Sequence, residues 1–480
     1  MTVTIEIIDR YLRLSSHECL DQLSSQLKYQ RTFQVREPGR GVRYEREQVD
    51  LHAFDDQKNL MCPRGFLPRI EEFLRGKGVT YVHSTVSDVS LPAAKMDQLG
   101  SLREGQLDVL QGIADSHCGV VDALTGFGKG VLLEKVVRMY PDNVHAVFTK
   151  SKSVCNMLYK RLSPCLPSTG CWNSDIHKKG NPIICTVGSM AHLELDKIEV
   201  AQFDEVHELI IPSFLNHFPK FKGAKFIAYS ATPDDRMDNS ALAVEAYFGP
   251  KIAKVDYQDG VDMGLVVPIR VLRVSPKEDD FDFSPVNLQN INSDVVKHRR
   301  GYWDNDARNN LIARTVTDML PTFLKDSDPQ ILILVDKVEH ALRLGKKLPD
   351  FELAHGTISA DAKSRFRSQG ILPTKVLSKK EVESLREDFS SGKERRVIAT
   401  GIWSTGVDFP ELSAIVRADG GASTIKDVQM PGRVCRLSEG KVEGILVDFT
   451  DEFDSWTARR SNSRLANYNN KQWSISDVEV

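Results

Sequence analysis

Asp122-Ala123-Leu124-Thr125-Gly126-Phe127-Gly128-Lys129-Gly130 is the stretch whose reading decides the fold. An apolar run, Gly119-Val120-Val121, precedes it, and Val131 to Val137 follows with helical character. Strand, glycine-rich loop, lysine and helix together cradle a polyphosphate. The glycines let backbone amides turn inward, the lysine reaches the β- and γ-phosphates, and the helix N-terminus favours negative charge. Thr125, Gly126, Phe127, Gly128, Lys129 and Gly130 are therefore candidate nucleotide-binding residues. One position departs from the pattern: the hydroxyl residue that usually follows the lysine and binds Mg²⁺ is here Gly130. The loop alone is also compatible with an ordinary glycine turn before a helix.

Length and composition frame the rest. A chain of 480 residues is too long for one core and implies two or three domains. With 41% hydrophobic and 27% charged residues it has globular composition. A net charge of −3 gives no global attraction for nucleic acid, so any such surface is local. Met1 to Glu6 lacks the basic and apolar regions of a secretory signal, and no apolar run is long enough to span a bilayer. The eight cysteines are scattered without a Cys-x-x-Cys pair, which favours free thiols over zinc or disulfides. The expectation is an intracellular protein without a membrane anchor.

Residues 1–95 read as a small α+β accessory domain. Ile5 to Leu14 alternates like strand material, and Ser16 to Leu27 has helical spacing. A basic, aromatic stretch follows, including Lys28, Tyr29, Phe33, Arg36, Arg40, Arg43 and Tyr44, with Pro38-Gly39-Arg40-Gly41 as a hairpin turn. Such a ribbon suits a phosphate backbone or is simply a solvated two-stranded face. Ser84 to Leu99 is polar and reads as a linker. Gln106 opens the next helix, and its amide can match both edges of adenine.

From there apolar runs alternate with helical segments: Ala146 to Phe148, Ile183 to Val187, Val200 to Phe203 and Phe226 to Tyr229. This alternation predicts a parallel sheet with helices on both faces. Asp204-Glu205-Val206-His207 ends one such strand, where one acid can hold Mg²⁺ and the other can activate water. Ser230-Ala231-Thr232-Pro233 ends another. Gly260 to Gly264 reads as a linker to a second α/β unit, with strands at Val271 to Val274, Ile331 to Val335, Val397 to Thr400 and Ile445 to Asp448. Residues 276–308 look irregular, with a basic cluster at Lys297 to Arg300. Arg433 and Arg436, at i and i+3, would share a helix face and converge on one anion. The last segment, 453–480, reads as a docking helix or a tail.

Taken in order, Gln106, Gly126-Phe127-Gly128-Lys129, Asp204-Glu205-Val206-His207, Ser230-Ala231-Thr232, Thr405-Gly406-Val407-Asp408 and Gln429-x-x-Gly432-Arg433-x-x-Arg436 resemble the superfamily 2 helicases and translocases over roughly residues 97–450. Within that superfamily the chain is most similar to the phage UvsW-type, XPB and RecG-like group, and similar also to poxvirus transcript-release helicases. The resemblance implies two tandem RecA-like domains, residues 96–262 and 263–452, around ATP and Mg²⁺. It implies that Lys129 holds phosphates, Asp204 positions the metal, Glu205 activates water, and Arg433 and Arg436 stabilise the transferring phosphoryl group. Arg103 and Gln106 would read adenine, with Asp408 and Gln429 at the domain cleft. His207, Ser230, Thr232 and Gln429 would couple nucleotide state to nucleic acid, which Lys150, Thr186, Ser189 and Thr400 would contact. The implied activity is remodelling of branched or duplex DNA in replication, recombination or repair, in a virus of bacteria. An RNA helicase and a transcript-release ATPase that docks on a polymerase are the alternatives.

Overall fold

The computed structural model describes residues 2–37, 41–87, 93–231, 241–277, 281–283, 286–326, 328–403, 409–422, 427 and 430–480, with side chains at 33–44 and 87 outside that description. The chain packs as two units, Met1–Asp256 and Tyr257–Val480. The boundary lies just before the segment read as a linker, because residues 257–262 form a helix within the second unit.

The first unit carries two sheets and a ribbon. Its N-terminal sheet runs Ala53–Phe54, Leu60–Pro63, Tyr11–Leu14, Val3–Ile8 and Tyr81–Ser87, antiparallel but for the last pair. Strict alternation buries Val3, Ile5, Leu12 and Leu14 against Leu20, Leu23, Ile70 and Leu74 of two helices. The strand through Ser87 corrects the reading of residues 84–87 as linker: Glu6 and Ile7 pair in parallel with Ser84 and Thr85. Lys28–Glu37 and Gly41–Asp50 pair antiparallel as a separate two-stranded sheet, and the predicted turn at Pro38-Gly39-Arg40 lies outside the described residues.

The larger sheet of this unit has the order His177–Lys178, Gly170–Trp172, Ile183–Thr186, His145–Thr149, Val200–Asp204, Lys225–Ser230, Cys118–Ala123 and Lys251–Val255. All pairs are parallel except the first. Strands buried on both faces become continuous apolar runs, which is why these segments were legible. The two sheets share one core: Tyr11 meets Phe218 edge-on, and the buried Arg10 guanidinium lies 3.7 Å from the centre of the Phe226 ring. Burial pulls Arg10 down to about 10. Arg69 clamps Glu245 through two hydrogen bonds of 2.7 and 2.6 Å.

The second unit is built on a seven-stranded sheet, all parallel: Glu352–Ala354, Arg396–Ala399, Gln330–Leu334, Leu412–Arg417, Gly444–Phe449, Ile269–Ser275 and Ser474–Glu479. Residues 453–480 are not a tail. They supply the helix Ser455–Asn470 and the edge strand Ser474–Glu479, paired along Ile269–Ser275. The basic cluster at 297–300 is partly consumed by packing, with Arg299 on Glu339 at 3.1 Å and His298 edge-on to Trp456. Among the described residues no helix is long and apolar enough to cross a membrane, and all eight cysteines are free.

Candidate nucleotide site

Parallel sheets gather functional groups where their strands end, because loops leave there and helix N-termini point back. In the first unit the candidates follow this rule. Lys129 comes from the loop after Cys118–Ala123, Asp204 ends Val200–Asp204, and Ser230 ends Lys225–Ser230. Register puts Asp204 opposite Tyr229, and Ser230 opposite Asp122, so these three strand ends stand side by side.

The loop has the backbone its sequence requires. Gly126 and Gly128 have φ of +99° and +95°, the left-handed region that side chains disfavour. A Cβ on Gly128 would also lie 2.9 Å from Gln106 Nε2. Gln106 is buried beneath the loop, where Nε2 donates to the Phe127 carbonyl at 3.0 Å and Oε1 accepts from the Arg103 amide at 3.0 Å. Its amide is therefore engaged with the loop itself, while the Arg103 side chain is exposed. The helix Lys129–Met139 that follows has no side-chain cap at its N-terminus.

Lys129 Nζ donates to the Ala123 carbonyl at 3.2 Å and stands 3.8 Å from Glu205 Oε1. Glu205 itself adopts φ 51° and ψ 55°, a left-handed turn that a non-glycine residue takes only under local constraint. One of its carboxylate oxygens, Oε2, is buried without a hydrogen bond among the described residues. Burial first, and the neighbouring Glu205 second, push the Asp204 carboxyl up to about 7, against the pull of Lys129. Two adjacent carboxylates stand beside the Lys129 ammonium, and the Arg161 charge also acts on Asp204. Carboxylate oxygens of this kind suit a hard divalent cation such as Mg²⁺. Gly130 brings no donor of its own.

His207 is buried, and its Nδ1 lies 2.8 Å from Ser230 Oγ, joining the acidic turn to the next strand end. Two strands away, Thr186 Oγ1 donates to Ser189 Oγ at 3.0 Å, and Thr186 pairs with Thr149, the residue before the exposed Lys150. The structure thus brings Lys129, Asp204, Glu205, His207 and Ser230 together, with Lys150, Thr186 and Ser189 along the same sheet edge.

In the second unit, Thr400 is buried after Arg396–Ala399, and its amide donates to Ala354. Arg433 is buried and Arg436 half-buried. They do not share an α-helical face. Pro431–Arg433 is a single 3₁₀ turn, held where the Val267 amide donates to the Cys435 carbonyl at 2.7 Å. The turn ends at Arg433, and Arg436 lies beyond it in irregular backbone, so the two side chains are not on successive turns of one α-helix. Arg40, Thr232, Asp408 and Gln429 lie outside the described residues, and Arg36 and Arg43 sit on the ribbon where only backbone is described. Sequence reasoning missed Arg161, whose guanidinium stands beside Gly130. Nothing in its local sequence signals that position.

Residues 313–438 match the helicase conserved C-terminal domain. The chain is 25% identical over 245 residues to an EcoAI type I restriction enzyme endonuclease subunit of Escherichia coli, covering 48% of this chain and 28% of that protein. It is 25% identical over 235 residues to putative helicase 22 of a Sulfolobus islandicus filamentous virus, covering 46% and 37% respectively. The chain thus spans about a third of the length of these relatives. Among solved structures, a fragment of a putative HsdR subunit of a type I restriction enzyme from Vibrio vulnificus aligns with a TM-score of 0.55 and 16% identity, over 94% of this chain and 92% of that one. UvsW of phage T4 aligns over 100% and 99% at 13% identity, with a TM-score of 0.43. The fold is of the tandem RecA-like kind, and residues 313–438 are similar to the helicase conserved C-terminal domain.

Proposed function

We propose that the chain is a nucleic-acid-dependent ATPase that moves on and remodels branched or duplex DNA. The observation that carries the reading is the convergence, on one sheet edge, of Lys129 with Asp204 and Glu205, Nζ to Oε1 being 3.8 Å. The match of residues 313–438 to a helicase domain supports the motor assignment.

In this reading the loop amides and Lys129 bind the β- and γ-phosphates of ATP, and Gln106 ties loop position to the adenine side. Bound Mg²⁺ would neutralise phosphate charge as the γ-phosphoryl group transfers. Asp204 would hold that ion. Glu205 accepts a proton from water as its oxygen attacks the γ-phosphorus, the bond to the β-phosphate oxygen breaks, and ADP and phosphate leave. Arg433 and Arg436 contribute positive charge to the transferring group. The His207–Ser230 hydrogen bond links the acidic turn to the neighbouring strand end and so couples nucleotide state to polymer contacts at Lys150, Thr186, Ser189 and Thr400. Asp408, Thr232 and Gln429 belong to the same coupling by their motifs.

DNA is favoured over RNA by the resemblance to the UvsW-, XPB- and RecG-like group, and the basic ribbon 28–50 is the accessory contact. The test is Mg²⁺-ATP hydrolysis with single strands, duplex, forks, four-way junctions and RNA. Strongest stimulation by forks or junctions supports the proposal; stimulation by RNA alone replaces DNA with RNA as substrate. Co-purification with a polymerase would favour the transcript-release reading instead.

A further inference from the structure

Gly130 departs from the phosphate-loop pattern, and the space where its side chain would stand is occupied. A Cβ built on it would lie 2.6 Å from Arg161 Nη1 and 2.9 Å from Arg161 Cζ, inside van der Waals contact. Arg161 reaches this point from the last turn of the helix Lys152–Leu162. Among the described residues its guanidinium makes no hydrogen bond and no salt bridge, although its charge draws the Asp204 carboxyl downward. An arginine without a partner, at the first turn of a helix that no side chain caps, is a cation placed for an anion that arrives from solution.

Resting on the reading of this loop as a nucleotide site, we propose that Arg161 binds the polyphosphate of the nucleotide, and that residue 130 is glycine because the guanidinium needs its room. A hydroxyl after the lysine acts only through a metal ion. A guanidinium acts on phosphate directly: it is planar, permanently charged and able to donate two parallel hydrogen bonds to phosphate oxygens. Part of the positive charge that a nucleoside triphosphate requires is thus built into the chain, and binding depends less on Mg²⁺ than it does in a loop with the hydroxyl.

The test is equilibrium binding of a fluorescent ATP analogue to the full chain, in Mg²⁺ and in EDTA. Arg161→Ala is expected to bind roughly tenfold more weakly, the scale of one charge-assisted hydrogen bond, with the larger loss in EDTA. Arg161→Lys restores part of the affinity. Gly130→Thr displaces the guanidinium and loses a similar factor, whereas Gly130→Thr with Arg161→Ala is no weaker than Arg161→Ala alone. Because Arg161 is exposed, thermal unfolding of its variants should match that of the unaltered chain. Equal affinity of Arg161→Ala and the unaltered chain in both conditions would overturn the inference, as would full additivity of the two substitutions. Lys129→Ala separates the levels. If it too binds normally, the nucleotide site itself is misassigned; if it alone loses binding, only the role of Arg161 falls.

Discussion

The two large sheets both pack on apolar cores and differ in what stands at their strand ends. Under the first, Phe203 is ringed by aromatic side chains, with Phe148 at 5.2 Å, Phe226 at 4.8 Å and Phe248 at 4.8 Å between ring centroids. At the strand ends of the second, three arginines are buried. Arg308 pairs with Asp451 at 2.6 Å, Arg417 with Asp419 at 2.7 Å and Asp427 at 2.9 Å, and Arg464 with Asp448 at 2.8 Å and Asp451 at 3.2 Å. Burial opposes the charge of Arg417 and Arg464, yet the surrounding aspartates hold both guanidinium groups well above their ordinary range. The first sheet thus has an apolar frame with charge left over at its edge, at Asp204, Glu205 and Arg161. The second spends its edge charge on itself. Charge at a strand end marks a site only when its partners do not cancel it locally.

The comparison can be broken where it is most exposed. Asp451→Ala strips a carboxylate shared by Arg308 and Arg464 and leaves buried charge uncompensated. The expected loss is about 3–5 kcal/mol, read from chemical denaturation. A loss below about 1 kcal/mol, the scale of a surface pair, would show that the network carries little of the second unit's stability. Next in size is the pH dependence at Asp204. With the metal absent the carboxyl is held up to about 7, so below that pH it carries a proton, and each unit downward leaves tenfold less carboxylate for Mg²⁺. Mg²⁺ affinity, measured by titration calorimetry with nucleotide present, should fall on acidification, and fall less steeply in Asp204→Asn than in the unaltered chain. An affinity flat from pH 7 to pH 5 would remove Asp204 from the metal site. Smaller again is Phe203→Leu, which roughly conserves volume in the aromatic cluster and should cost under about 1.5 kcal/mol while leaving nucleotide binding intact.

Legibility followed the same division. Fully buried parallel strands announce themselves as apolar runs, so Ala146 to Phe148 and Ile331 to Val335 could be read directly. The turn at Gly126 to Lys129 was legible because glycine at positive φ and lysine at fixed spacing are local properties. Residues 453–480 were readable only as a docking helix or a tail: the helix Ser455–Asn470 is present, but its place in the second unit was not visible in the sequence. Arg464 is fully buried only because Asp448 and Asp451 meet it across the fold. Ser474–Glu479 is a half-exposed edge strand, with no apolar run to signal it. Arg161 was invisible for the same reason as Arg464: its meaning lies in what stands next to it, 31 residues away in sequence at Gly130.

The proposed function rests on two separable roles, nucleotide binding through Lys129 and a contribution of Arg433 to hydrolysis. Measuring nucleotide affinity and turnover together for Lys129→Ala and Arg433→Ala tests it most directly. Lys129→Ala should lose both, whereas Arg433→Ala should keep nucleotide affinity and lose about 10³-fold or more in turnover. Normal turnover in Arg433→Ala, with polymer present, would contradict it.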